Sequence, residues 1–196
     1  MKPEALSREL RLGSGNFLGQ RRGIVGLAMV AAGSMGLITL YQMGIIKHLP
    51  EPPLPGLDAD KVDASAEAYS RFSTPDSILG LGNYAVTMGL AAMGGQDRAK
   101  EQPWIPLALA AKVAFDLSQA IRLFFDQKTK YHAFCSWCLL AAGTTLATVP
   151  LVIPETYAAL RQLIRQRKAA LSSKREEKQK KYIVQPTRKG TYHGTT

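Results

Sequence analysis

Cys135 and Cys138 are the only two cysteines of the chain, set two residues apart in Phe134-Cys135-Ser136-Trp137-Cys138. This spacing is the one redox proteins use to make and break a disulfide. Residues i and i+3 share one face of a helix, so the two thiols can meet near a helix N-terminus. There, unpaired backbone amides stabilise negative charge on the first sulfur. The plain alternative is two buried cysteines that merely pack. The absence of further cysteines argues against a structural disulfide scaffold. His132 extends the pattern to His-x-x-Cys-x-x-Cys. A structural zinc site takes four ligands, no second pair exists, and no metal is expected. Lys112 and Asp116, four residues apart, form a second chemical candidate: a charge pair inside an apolar stretch, either functional or simply holding helices together.

The elements that must position these groups are apolar. Residues 131–154 carry no Lys, Arg, Asp or Glu, and about 20 apolar residues cross a bilayer. Two further stretches, 24–46 and 77–96, are equally free of charge. A fourth, 102–125, contains Lys112, Asp116 and Arg122, and intramembrane charges cost a few kcal/mol each. Arg122 lies near one end and can snorkel. The mean hydropathy of -0.07 averages these stretches with a strongly basic tail. The first stretch exceeds the apolar run of a secretory signal and no small-x-small cleavage site follows it.

Charge sets the orientation. Residues 1–23 carry a net +3, residues 47–76 a net -3, and residues 161–196 a net +9. Basic flanks stay in the cytoplasm. Both termini are therefore expected there, with the acidic loop outside and an even number of spans. Cys135 and Cys138 then fall at the outer end of the fourth helix, on the side where disulfides persist in bacteria.

The expected organisation is a cytoplasmic polar arm over residues 1–22, a membrane domain over 23–157, and a basic cytoplasmic tail over 158–196. The arm reads as a short amphipathic helix. The long loop opens with Leu49-Pro50-Glu51-Pro52-Pro53-Leu54-Pro55-Gly56, an extended segment, and a short helix follows over residues 63–72. Thr74 reads as an N-cap and Pro75 as a first helical residue. Ala28, Ala32 and Gly36, and likewise Ala85 and Gly89, repeat at a spacing that lets membrane helices approach closely. The run 174–181 is a solvated basic face, and 186–196 reads as disordered. The basic tail lacks aromatic interleaving, so anionic lipid rather than nucleic acid is its expected partner.

On these residues the chain resembles the vitamin K epoxide reductase family over about residues 20–155. The resemblance is carried by Phe134-Cys135-Ser136-Trp137-Cys138-Leu139 and by Asp76-Ser77-Ile78-Leu79-Gly80, continuing to Asn83-Tyr84. It implies an all-α fold: an integral membrane four-helix bundle with a short helix in the first extracytoplasmic loop. It implies that the C-x-x-C reduces a quinone or its epoxide. Cys138, deeper in the membrane, would face the quinone, and Cys135, nearer the surface, would exchange with a partner thiol. Asp76, Ser77 and Asn83 would line the quinone, of ubiquinone or menaquinone type. Asp76 stands where the family often carries Asn, and it can donate to a quinone carbonyl only when protonated. The implied partner is an extracytoplasmic thiol protein of thioredoxin fold, and the implied location is a bacterial inner membrane.

Two departures stand out. The family relays electrons through a second cysteine pair in the loop after the first helix; here that loop, residues 62–73, has none. Ala142 stands where animal members carry a quinone-side Tyr. Two readings result: a thiol oxidoreductase served directly by an external dithiol, or a non-catalytic member that keeps the bundle and binds a partner or lipid.

Overall fold

The computed structural model describes residues 2–183, which are mostly helical, with no strand among them. Four long helices follow from the four apolar stretches: α2 (Leu18–Gln42), α4 (Asp76–Ala92), α6 (Trp104–Asp126) and α7 (Ser136–Ile183). They pack as a ring, α2 against α4 and α7, and α6 against α7 and α4. Shorter elements decorate the ends: α1 (Pro3–Leu12), α3 (Ala59–Asp63), a 3-10 turn (Ala66–Tyr69), α5 (Arg98–Glu101) and a π-helical turn (Gln127–Tyr131).

Helix boundaries differ from the sequence expectation where the backbone demands it. α2 ends at Gln42, because Gly44 turns left-handed at φ 72°. α4 ends at Ala92, ahead of Gly94 at φ 81°. The fourth helix starts at Ser136 rather than 131, because the π turn and a left-handed His132 occupy the intervening chain. Pro75 flanks α4 as its cap residue, and the Thr74 hydroxyl bonds the Phe72 carbonyl instead of capping. The short helix expected over 63–72 is two elements, α3 before it and the 3-10 turn within it. Phe72 is 91% exposed at φ 55° and does not pack. α7 continues unbroken through Pro150 and Pro154 to Ile183, so the first part of the basic tail is helical. The stretch 186–196, expected to be disordered, lies outside the described residues.

The helix seams also correct the sequence. α2 buries Ile24, Ala28, Ala31, Ser34, Ile38 and Gln42, a stripe that takes in Ala28 but not Gly36. Ala85 and Gly89 of α4 face outward. Close approach of α2 and α4 occurs instead at Gly80, where an added Cβ would lie 2.8 Å from Met35 Sδ. At Gly80 any side chain would displace the Met35 thioether.

Two apolar clusters fill the ring. One joins Ile24, Ala91, Leu109, Val113 and Val152 near the C-terminal end of α4. The other joins Ile38, Leu49, Ala59, Val62, Ala133 and Cys135 at the opposite end. Outward, the helices present large apolar side chains, among them Met29, Val30, Val86, Phe115, Leu146 and Ile153. α2 and the first 44 residues of α7 are long and apolar enough to cross a membrane. α4, at 17 residues, spans ~26 Å at 1.5 Å per residue, just short of the ~30 Å hydrocarbon core.

The C-terminal end of α4 is tied down by two guanidinium groups. Arg21 donates to the carbonyls of Ala91, Ala92, Met93, Gly94 and Gly95 at 2.8–3.1 Å. Arg98 donates to the Leu90, Ala91 and Met93 carbonyls and grips Glu155 of α7 through two bonds of 2.7 and 2.6 Å. Both partners of that ion pair are buried, 1% and 3% exposed. α1 docks beside this end: Glu9 accepts from the Gln96 amide, and Arg22 bonds the Leu10 and Gly13 carbonyls.

Candidate functional site

Cys135 precedes the first residue of α7, and its sulfur accepts a hydrogen bond from the Cys138 amide at 3.1 Å. A side-chain acceptor on the third amide is the usual way of satisfying a helix start. The two cysteines are free thiols on one face, as their spacing predicts. The loop after α2 holds them in place. Glu51 accepts from the Ser136 amide at 2.8 Å and from the Ala59 amide at 2.7 Å, bridging α7 and α3. Trp137 Nε1 donates to the Pro50 carbonyl at 2.8 Å. Phe134 pairs with the loop backbone through Gly56 and Asp58. Gln127, itself buried, accepts from the Cys135 amide.

The exposure of the two thiols reverses the expected order. Cys135 is fully buried, sealed by Leu49, Ala59 and Val62 of the loop. Cys138 is half-buried and lines a cavity of about 350 Å³. Sequence position placed Cys135 nearer the surface; the stapled loop covers it.

Asp63, at the end of α3, lies over the pair. The Cys138 thiol donates to its Oδ1 at 3.6 Å, and its Oδ2 is buried without a hydrogen-bond partner. Burial pushes the Asp63 carboxyl up to about 6, against the lowering effect of the thiol hydrogen bonds. The Asp63, Cys135 and Cys138 ligand atoms lie within 4.8 Å of one another. The cluster is one short of a four-ligand structural zinc site, and His132 is not among its members.

Asp76, Ser77 and Asn83 line the same cavity as Cys138. None is idle. Gln42 Nε2 donates to Asp76 Oδ1 at 2.9 Å, while Gln42 Oε1 accepts from the Ser77 hydroxyl, which also receives Thr39. Asn83 donates to Asp116 at 2.9 Å. Asp116 is paired with Lys112, as their spacing anticipates, and Lys112 also donates to Thr87 at 3.1 Å. The Tyr84 hydroxyl meets Thr145 at 3.1 Å. The cavity is near the lower end of the ~300–1,000 Å³ range of small-molecule sites. Its lining includes Met35, Ile38 and Leu139, which give it apolar walls.

Sequence reasoning missed Asp63, Gln42 and Glu51. Asp63 was one acid in an acidic loop, and Gln42 one amide in an apolar helix. Glu51 lay in a proline-rich run whose only local signal was extension.

Residues 23–153 match the family model described as the vitamin K epoxide reductase family. No curated protein and no solved structure matches the chain.

Proposed function

Because the chain belongs to the vitamin K epoxide reductase family, we propose that it is a membrane thiol oxidoreductase whose Cys135–Cys138 pair exchanges electrons with a quinone. The observation that carries this reading is the placement of a free C-x-x-C at a helix N-terminus with its second sulfur on a cavity wall. A bound quinone would supply a two-electron, two-proton acceptor beside Cys138. Asp76 would hold a ring carbonyl in its protonated form, and Asn83 has an amide hydrogen left beyond the one given to Asp116. Ser77 positions Gln42, which orients Asp76. Asp116 and Lys112 keep Asn83 turned to the cavity.

The proposed topology has four spans, α2, α4, α6 and α7, with both termini in the cytoplasm. The outward apolar side chains of all four helices support it. The thiols then face the periplasm of a bacterial inner membrane, where a thioredoxin-fold protein could reach them. The proposed parts are a polar arm over 1–22, the membrane domain over 23–157 and a basic tail over 158–196.

A second reading draws on one observation. The loop has no cysteine and seals Cys135, as a binding member without turnover would. The redox state of the pair decides between them. In isolated membranes, alkylation trapping should find Cys135 and Cys138 reduced after dithiol treatment and oxidised when quinone is added. A pair that stays reduced with quinone present favours the binding reading.

A further inference from the structure

We propose that Asp63 is a catalytic base for Cys138: its carboxylate takes the proton of the Cys138 thiol as that sulfur reacts. The inference deepens the oxidoreductase reading of this site and rests on it for its place in the reaction.

The geometry sets Asp63 apart from the other buried carboxylates. Asp116 is met by Lys112 and Asn83, and Glu155 by Arg98. Asp63 is 4% exposed, has one oxygen with no partner, and gives the other to the Cys138 thiol. A buried carboxylate without a cation destabilises a fold, so its presence over two reactive sulfurs calls for a role. Burial raises the Asp63 carboxyl most, Asp76 on α4 and Glu51 in the loop raise it further, and the thiols of Cys135, just before α7, and Cys138 on α7 oppose them. Tyr41 of α2 is also within electrostatic reach. Asp63 therefore titrates near 6, close to working pH, where a general base is most effective.

The step balances within the pair. The S–H bond of Cys138 breaks, an O–H bond forms on Asp63, and the electron pair stays on Cys138 Sγ. One negative charge moves from oxygen to sulfur and no new charge appears. Release of the proton to water would instead leave two adjacent anions in a buried site, which is costly. The electron pair then passes to the electrophile in the cavity, a quinone in the reading above.

The test needs no quinone. Reduced full-length protein in detergent is treated with N-ethylmaleimide across roughly pH 5 to 9, and the rates at Cys138 and Cys135 are followed separately by mass spectrometry. In the native chain the Cys138 rate should climb about tenfold per pH unit up to pH ~6, then level off, because the transferable proton stays inside the pair. Asp63→Asn should lose the level region and keep climbing with pH to the top of the range. Asp63→Glu should retain a level region. A native profile without a break near 6, or an Asp63→Asn profile that superimposes on it, overturns the proposal. An Asp63→Asn chain that labels both cysteines alike has unfolded, and Asp63→Glu then decides: a level region supports the base, its absence overturns it. A level region in a chain that quinone never oxidises removes the oxidoreductase reading and keeps the proton transfer. Quinone oxidation without a level region does the opposite.

Discussion

Single side chains carry most of the chemistry. Asp63 costs the fold stability at neutral pH. Its carboxyl titrates near 6 in the folded protein against 3.8 for the free group. The folded state then binds more protons between those values, so stability falls as pH rises from 3.8 to 6 and stays lowered above. Asp63→Asn should stabilise the protein by about 2–3 kcal/mol at pH 7 and by little below pH ~4, read from denaturation in detergent at the two pH values. Equal gains at both would show that the carboxylate is not the cause. Lys112 and Asp116 act in the opposite sense. Asp116→Ala leaves a cation alone and also strips Asn83 of its partner, a loss of about 3–5 kcal/mol. Lys112→Met with Asp116→Leu should recover most of it. Purely additive losses in the double variant would mean that the two residues do not interact. The pair was legible in the sequence because four residues is one helical turn. Asp63 was not legible: 75 residues separate it from Cys138, and only folding of the loop brings them together.

At the scale of elements, the loop after α2 and the start of α7 work as one unit. Glu51 holds both, and the apolar residues of the loop cover Cys135. Exchange with a partner thiol requires this cover to lift. Glu51→Ala removes two charge-assisted bonds, and a weakening of about 1.4 kcal/mol would open the cover about tenfold more often. Maleimide should then label Cys135 about tenfold faster, while Cys138, already on the cavity, changes little. An unchanged Cys135 rate would show that the loop is not what shields it. Three of the long helices were readable from uncharged runs, α6 from an apolar run carrying three charges, and the thiol face from the C-x-x-C spacing. Their ends were not, because Gly44, Gly94 and His132 turn the chain by left-handed backbone that apolar periodicity does not report. The small-residue seam was misread in α4, since regular spacing says which residues align but not which way the face points.

For the whole molecule, the topology proposed from the charge map and the apolar exterior has four spans with both termini in the cytoplasm. Reporter fusions at residues 5 and 190 should both report cytoplasm. Opposite sides would rule out the four-span topology. The all-helical fold and the family could be read from the sequence, since both rest on long apolar runs and one motif. The polar contacts across the bundle could not. Arg98 and Glu155 lie 57 residues apart in the sequence, and nothing local marks either as buried.

The guanidinium ties on α4 bear on how a ligand gets in. Between them Arg21 and Arg98 occupy every carbonyl from Leu90 to Gly95, so the C-terminal end of that helix is anchored. Among the described residues, the side-chain hydrogen bonds that tie its other end to α2 come from Gln42 and Thr39. A gap between α2 and α4 would therefore open more readily at the Asp76 end than at the arginine end. On the proposed function and topology, a quinone arriving sideways through the lipid would enter from the periplasmic leaflet, head first, with its tail trailing into the bilayer.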